Sequence, residues 1–448
     1  MRKKNQKQLP LINKNIEHPH AYELHKISEI IDENPSINEW VLQDLVGDKE
    51  LTDTGAEGMS ADQVFRAAVI KQMEEFSYEE LAFHLIDSLS YRSFCRIGIV
   101  DKGFKKSALC KNIKAISANT WESINRVFIA YGQSMKIEKG RESRIDCTVV
   151  SSNIHEPTDS SLLWDSVRVL TRMLKKAKEQ NPEKQIIYKD HTRVTKRRML
   201  GIMNAKGKKV RDQKYKDLLK IAHKTVSYTK NAISVLGAHE ATGQSFDMAY
   251  EMNDLLEQVE KVIEQTTRRV INGESVPASD KVVSIFEPHT DIIRKDNRDT
   301  YYGHKICLSG GPSNLITDCL ILDGNPADSD LTGQMLERHK EIYGNYPLKT
   351  ALDGGFASKK NLESAKGKGI KDVCFAKKRG MKDEDMCRST WVYKRLRRFR
   401  AGIEAGISWL KRCFGLIRCT WRSHESFKSY VWASIVSANL LTLSRSNI

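Results

Sequence analysis

Apolar positions in the first 135 residues recur every three to four residues, in VFRAAVIKQM (64–73), SYEELAFHLIDS (77–88) and TWESINRVFIAYGQ (120–133). That period is the signature of helices with one buried face. Ser60 with Gln63 and Ser77 with Glu80 have capping-box spacing, in which hydroxyl and distal side chain satisfy orphan amides at a helix start. Residues 1 to about 135 are therefore predicted to form a bundle of short helices. Such a bundle binds DNA, dimerises or caps another domain, and the pattern does not choose among these.

Beyond it the period changes. RIDCTVVSSN (144–153), YYGHKICLSGG (301–311) and NLITDCLILDGN (314–325) are short, rich in β-branched residues and bounded by Gly, Asn and Ser, which predicts strands. A helix is predicted from about Asp330 to Tyr343, then LKTALDGGF as a buried strand, a short helix over 359–367 and GIKDVCFAKK as another strand. This alternation predicts an α/β fold, a mixed sheet covered by helices. The residues between the first two strands hold a basic segment and an acidic helix, SFDMAYEMNDLLEQVEKVIEQTTRRV, and are too many for a structureless loop. The division expected is a helical region 1–135, a sheet region 140–156 with 298–448, and a helical insertion 157–297.

Charge sharpens this division. The 448 residues carry Lys+Arg 73 against Asp+Glu 57, a formal net charge of +16. From Arg168 to Lys230 there are 20 basic and 5 acidic residues, and from Lys359 to Arg422 there are 19 and 6, so the rest of the chain is net acidic. A zoned surplus of this kind marks surfaces that follow phosphates, nucleic acid before membrane. No run of apolar residues reaches the roughly 20 needed to span a bilayer; the longest, Val431–Leu443, falls short. The basic start MRKKNQKQLPLINK lacks the apolar stretch of a signal peptide. The 9 cysteines form no C-x-x-C pair, which predicts reduced thiols rather than a zinc site. The expectation is a cytoplasmic, nucleoid-associated protein without a membrane partner.

Three carboxylates stand out. Asp146 lies inside the first strand, and Asp353 closes the apolar run 348–352 before Gly354-Gly355. An aspartate at a buried strand end is costly unless paired, protonated or metal-bound; the plain alternative is a turn aspartate, as Asp323 is in ILDGNP. On the helix predicted from Trp391 to Gly415, Arg397, Arg400, Glu404 and Lys411 share one face, beside an apolar stripe of Ile403, Ile407, Leu410 and Phe414. A simple Glu404–Arg ion pair is the alternative there. Two strand aspartates and a helix glutamate could hold two divalent ions for phosphodiester chemistry, provided the strands are neighbours and the helix lies across them.

At this point the chain resembles bacterial insertion-sequence transposases of the DDE class, which carry an RNase H-like catalytic domain. Arg400, Glu404 and Lys411 form R-x3-E-x6-K, similar to the Y-x2-R-x3-E-x6-K signature of one large group, with Arg397 at the tyrosine position. ALDGGF and RIDCTVV look like the family's second and first aspartate motifs. Residues 58–98 resemble the N-terminal domain of InsH-type transposases, and SNIHEPTDSSLLWDSVRVL with SIFEPHTDIIRKDNRDTYYGHK resembles an ISNCY-like subgroup with helices between its first two strands. The resemblance implies that Asp146, Asp353 and Glu404 are the catalytic, metal-binding triad for two Mg²⁺ ions, with Mn²⁺ able to substitute. It implies DNA contacts by Arg400 and Lys411; the cationic helix face adds Arg397, and the basic run adds Arg193, Lys196, Arg197, Arg198, Lys208 and Lys209. The expected activity is cleavage at an element's terminal inverted repeats followed by strand transfer into target DNA, by a homodimer or higher oligomer. A domesticated DNA-binding relative and an RNase H-fold nuclease without strand transfer are the alternatives. His155 reads as a turn histidine, His304 and Lys305 receive no role, and Trp409 reads as core rather than as a base-stacking ring.

Overall fold

The computed structural model describes residues 3–4, 17–47, 58–98, 100–237, 243–295 and 299–446. Parts of the predicted N-terminal bundle (1–2, 5–16, 48–57 and 99) and Asp296–Arg298 of the SIFEPHT segment lie outside the described residues. The chain forms two compact units, Met1–Ser152 with His304–Ile448, and Asn153–Gly303.

The first unit begins with α1 (Pro19–Asp32), α2 (Ser36–Val46), α3 (Ala61–Met73), α4 (Tyr78–Asp87), α5 (Leu89–Phe94), α6 (Lys106–Ala115) and α7 (Ala118–Ser134). Both expected capping boxes form. Ser60 Oγ accepts from the Gln63 amide and Gln63 Oε1 from that of Ser60; Ser77 and Glu80 do the same at α4. The structure differs in how deeply α3 sits, since every residue from Ala61 to Gln72 is buried rather than one face. The polar members are tolerated because they pair: Arg66 donates to Asp62 one turn earlier and to Asp32 on α1, each at 2.7 Å.

The strands are β1 (Glu142–Ser151), β2 (Asp291–Lys295), β3 (Asp299–Gly310), β4 (Ile316–Ile321), β5 (Lys349–Leu352) and β6 (Asp372–Phe375). Their order is β2-β3-β1-β5-β6, with β4 also on β3; β1, β5 and β6 pair in parallel, whereas β3–β4 and β2–β3 are antiparallel. This is the mixed α/β sheet expected. Helices α12 (Asp328–Tyr343), α13 (Lys359–Gly367), α14 (Asp383–Met386), α15 (Thr390–Cys413) and α16 (His424–Ser446) complete the unit. The apolar run 431–443, too short to span a membrane, is instead a core helix, with Val431, Ile435, Leu440 and Leu443 fully enclosed. Asn439 ties it down: its side chain accepts from the Ile316 amide at 2.9 Å and donates to the Ile316 carbonyl and to Asn125 of α7. No described helix is long and apolar enough to cross a membrane.

The second unit contains α8 (Asp159–Gln180), α9 (Thr192–Met203), α10 (Lys208–Leu236) and α11 (Gly243–Thr266), packed around Leu162, Leu170, Leu218 and Val262 and, further along, Leu174, Leu236 and Met252. One correction belongs here. The insertion 157–297, expected to be helical, ends in the strand β2, whose register with β3 runs from Asp291↔Gly303 to Lys295↔Asp299. DIIRK is too short to announce itself by alternation; its hydrogen bonds come from the hairpin partner. No two of the 9 cysteines are joined in a disulfide.

Candidate active site

The parallel register of β1 and β5 pairs Ile145 with Leu352, so the next residues lie side by side, Asp146 in the middle of β1 and Asp353 just past the end of β5. Asp353 caps the tight turn Gly354–Phe356, where a Cβ on Gly354 would meet Lys377 Cγ at 2.6 Å. The missing side chain at Gly354 lets the Lys377 stem lie against this turn. Helix α15 buries Tyr393, Leu396, Ile403, Ile407 and Leu410 and packs across β1, β5 and β6. That seam leaves Glu404 on the flank facing the two aspartates.

One atom brings the three carboxylates together. Arg400 Nη1 donates to Glu404 Oε1 at 2.8 Å and lies 3.3 Å from Asp353 Oδ1 and 3.9 Å from Asp146 Oδ2. The plain i,i+4 ion pair between Arg400 and Glu404 thus exists, and it sits within the cluster rather than instead of it. Access is graded: the Asp146 side chain is 16% exposed, Asp353 41% and Glu404 54%. Burial, first of all, pushes the Asp146 carboxyl up to about 6, and the charges of Asp353 and Glu404 push the same way. The Cys147 amide, which donates to Asp146 Oδ1 at 2.7 Å, and Arg400 oppose the rise. Carboxylate oxygens on three elements, converging on one positive group, are the donor set that hard divalent cations prefer. The residues present fit such an ion.

Arg144 was not singled out in the sequence. It precedes Asp146 by two on β1, hence projects from the same face of the strand. Its guanidinium donates to Asn314 Oδ1 at 2.8 Å and to the Phe399 carbonyl at 3.3 Å, and lies over the Phe399 ring. A Cβ on Gly402 would fall 1.6 Å from Arg144 Nη1, so that glycine lets α15 settle on Arg144 half a turn before Glu404. The i−2 position from a strand aspartate was the only available signal.

Of the other expected residues, Arg397 is exposed on α15 and Lys411 is half-buried further along it. In the second unit, Arg193, Lys196 and Arg197 of α9 and Lys208 and Lys209 of α10 are exposed. Arg198 instead pairs with Asp217 at 2.9 Å. His155 Nε2 lies 3.4 Å from Asp165, a local partner. Asp323 is 90% exposed beside Gly324 at φ 71°, as a turn residue should be. His304 is buried against the ring of Phe427, and Trp409 packs edge-on against Phe414.

Residues 281–440 match the transposase DDE domain family and residues 11–115 match the transposase domain family DUF772. The first match contains Asp353 and Glu404, whereas Asp146 lies outside both, on the far side of the helical insertion. No curated protein and no solved structure matches the chain. With the two transposase domains in this order and an RNase H-like sheet carrying the acidic cluster, the chain belongs to the insertion-sequence DDE transposases, metal-dependent enzymes that cut DNA and transfer its strands.

Proposed function

We propose that this transposase binds the terminal inverted repeats of its own element and cleaves there with Asp146, Asp353 and Glu404 as the ligands of two Mg²⁺ ions, for which Mn²⁺ substitutes. The observation that carries the reading is the convergence of all three carboxylates on Arg400 Nη1. Bound divalent ions would supply activation of the attacking oxygen and charge stabilisation on the leaving one. The protein's own part is placement. The β1–β5 register sets the two aspartates level, and Arg144 with Gly402 seats α15 so that Glu404 closes the third side.

In the first reaction a water oxygen forms the new bond to phosphorus and the strand's 3′-oxygen leaves as a hydroxyl. In the second, that hydroxyl attacks a target phosphodiester, and the target's own 3′-oxygen leaves. Arg400, Arg397 and Lys411 hold the scissile strand by charge-assisted hydrogen bonds to phosphate oxygens. Arg193, Lys196, Arg197, Lys208 and Lys209 hold flanking DNA, with Arg198 available once it exchanges Asp217 for a phosphate. Pairing of two ends calls for a homodimer or higher oligomer.

The test uses the full chain, a duplex bearing the element end, and Mg²⁺. Asp146→Asn, Asp353→Asn and Glu404→Gln should each reduce cleavage and strand transfer by about 10³-fold or more while gel-shift affinity for the end is kept. Full cleavage by all three variants would overturn the assignment.

A further inference from the structure

Within the first unit, an open cavity of about 520 Å³ is lined by Lys71, Tyr78, Lys411, Arg412, Arg418 and Tyr430, among others. Its unusual member is Lys71. The residue belongs to α3, is 6% exposed, and its ammonium lies 4.9 Å over the ring of Tyr78. Among the described residues it has neither an ion pair nor a hydrogen bond. Burial, aided by Lys114, lowers its pKa to about 8, so it remains cationic at neutral pH at a cost that a bound anion would offset.

The acidic groups at the cavity provide that offset only in part, since Glu75 favours the charged lysine less than burial and Lys114 disfavour it. Glu75 Oε1 accepts from the Gly415 amide at 2.6 Å, and Glu80 is committed to the Ser77 amide at 2.7 Å in its capping box. Gly415 and Tyr430 are tied together in the cavity wall. Gly415 sits at φ 68°, where a Cβ would meet Tyr430 Oη at 2.4 Å, and that hydroxyl donates to the Gly415 carbonyl at 2.9 Å. The cavity therefore presents several cations, with its carboxylates already engaged.

We propose that this cavity receives a backbone phosphate of bound DNA, with Lys71 of the N-terminal helices joining Lys411 and Arg418 around it. This rests on the reading of the chain as a transposase acting on DNA. It adds a phosphate contact from the N-terminal helices to those from α15.

The experiment compares the full chain with Lys71→Met, which keeps the stem and removes the charge, and with Arg418→Gln at the exposed rim. Melting is followed in sodium phosphate and in sodium chloride at matched ionic strength; the general stabilisation by phosphate is common to all three proteins. The wild type should gain more from phosphate than either variant. In duplex binding, each variant should lower the slope of log affinity against log salt by about 1, so that its affinity falls about fourfold less between 50 and 200 mM salt. Equal phosphate gains in wild type and both variants would overturn the anion site. A phosphate-specific gain with unchanged duplex slopes would overturn its assignment to DNA and leave a free phosphate as its ligand. A wild-type chain that binds no duplex would sink the DNA reading, with the melting comparison still judging the cavity.

Discussion

At the scale of single residues, the acidic cluster is a place where folding works against closely placed charge. Asp146 is held within strand β1 among two other carboxylates, and its carboxyl is pushed up to about 6 from an ordinary value of 3.8. A carboxyl raised in the folded state favours folding while protonated. Its contribution is complete below the unfolded pKa and is lost as pH rises through the folded one. Metal-free Asp146→Asn is therefore expected to exceed the wild type in stability by about 1–2 kcal/mol at pH 7.5, with the gap closing as pH falls from 6 to 4. Urea denaturation in chelator across that range checks it; a gap that widens on acidification would contradict the argument. Asp146, Asp353 and Glu404 were legible because each broke a local rule, a charge within or just past an apolar strand or a lone acid on a basic helix face. Arg144 and Lys377 were not, since a basic residue near a strand breaks no rule until the helix and turn that lean on it are in place.

At the scale of elements, local signals carried far. The Ser60 and Ser77 capping boxes, the helix over 359–367 and the strand around Ala351 are where the pattern placed them. Each is decided by neighbours a few residues away. Ser60 is buried and both of its capping bonds form, so Ser60→Ala is expected to cost about 1–2 kcal/mol in chemical denaturation, whereas Ser77→Ala, at the surface, should cost less. Strand β2 was not legible because its hydrogen bonds are made to Asp299–Gly303, and the depth of α3 was not because amphipathic spacing does not reveal that Asp62 and Arg66 neutralise each other. Helix α15 combines both cases: its apolar seam is readable, and its seat on Arg144 through Gly402 is not.

At the scale of the whole molecule, the charge surplus acquires positions. The exposed cations of α9 and α10 form one set in the second unit. Replacing Arg193, Lys196, Arg197, Lys208 and Lys209 together by Gln is expected to lower the salt slope of end binding by about 4, with melting temperature nearly unchanged because none of them is buried. An unaltered slope would show that this set does not track phosphates. The N-terminal helices, the sheet and α16 share one hydrophobic core, in which Trp121, Phe128, Leu315, Ile403 and Leu443 all take part. Asn439 is the polar bond within it. Its replacement by Ala strands the buried Ile316 amide and carbonyl and the Asn125 side chain, and should cost about 2–4 kcal/mol, read by denaturant titration.

The sequence by itself determined most of the elements, the α/β class and the zoning of charge, and it singled out three acidic residues as candidates. These depend on periodicity, capping and composition, which are properties of nearby positions. Only the tertiary structure decided that Asp146 and Asp353 stand level on neighbouring parallel strands, that Arg400 occupies the space between them and Glu404, and that Lys71 is buried in a cationic cavity with Lys411. Those relations join residues far apart in the chain through sheet register and side-chain packing, and no local pattern encodes the distance between them.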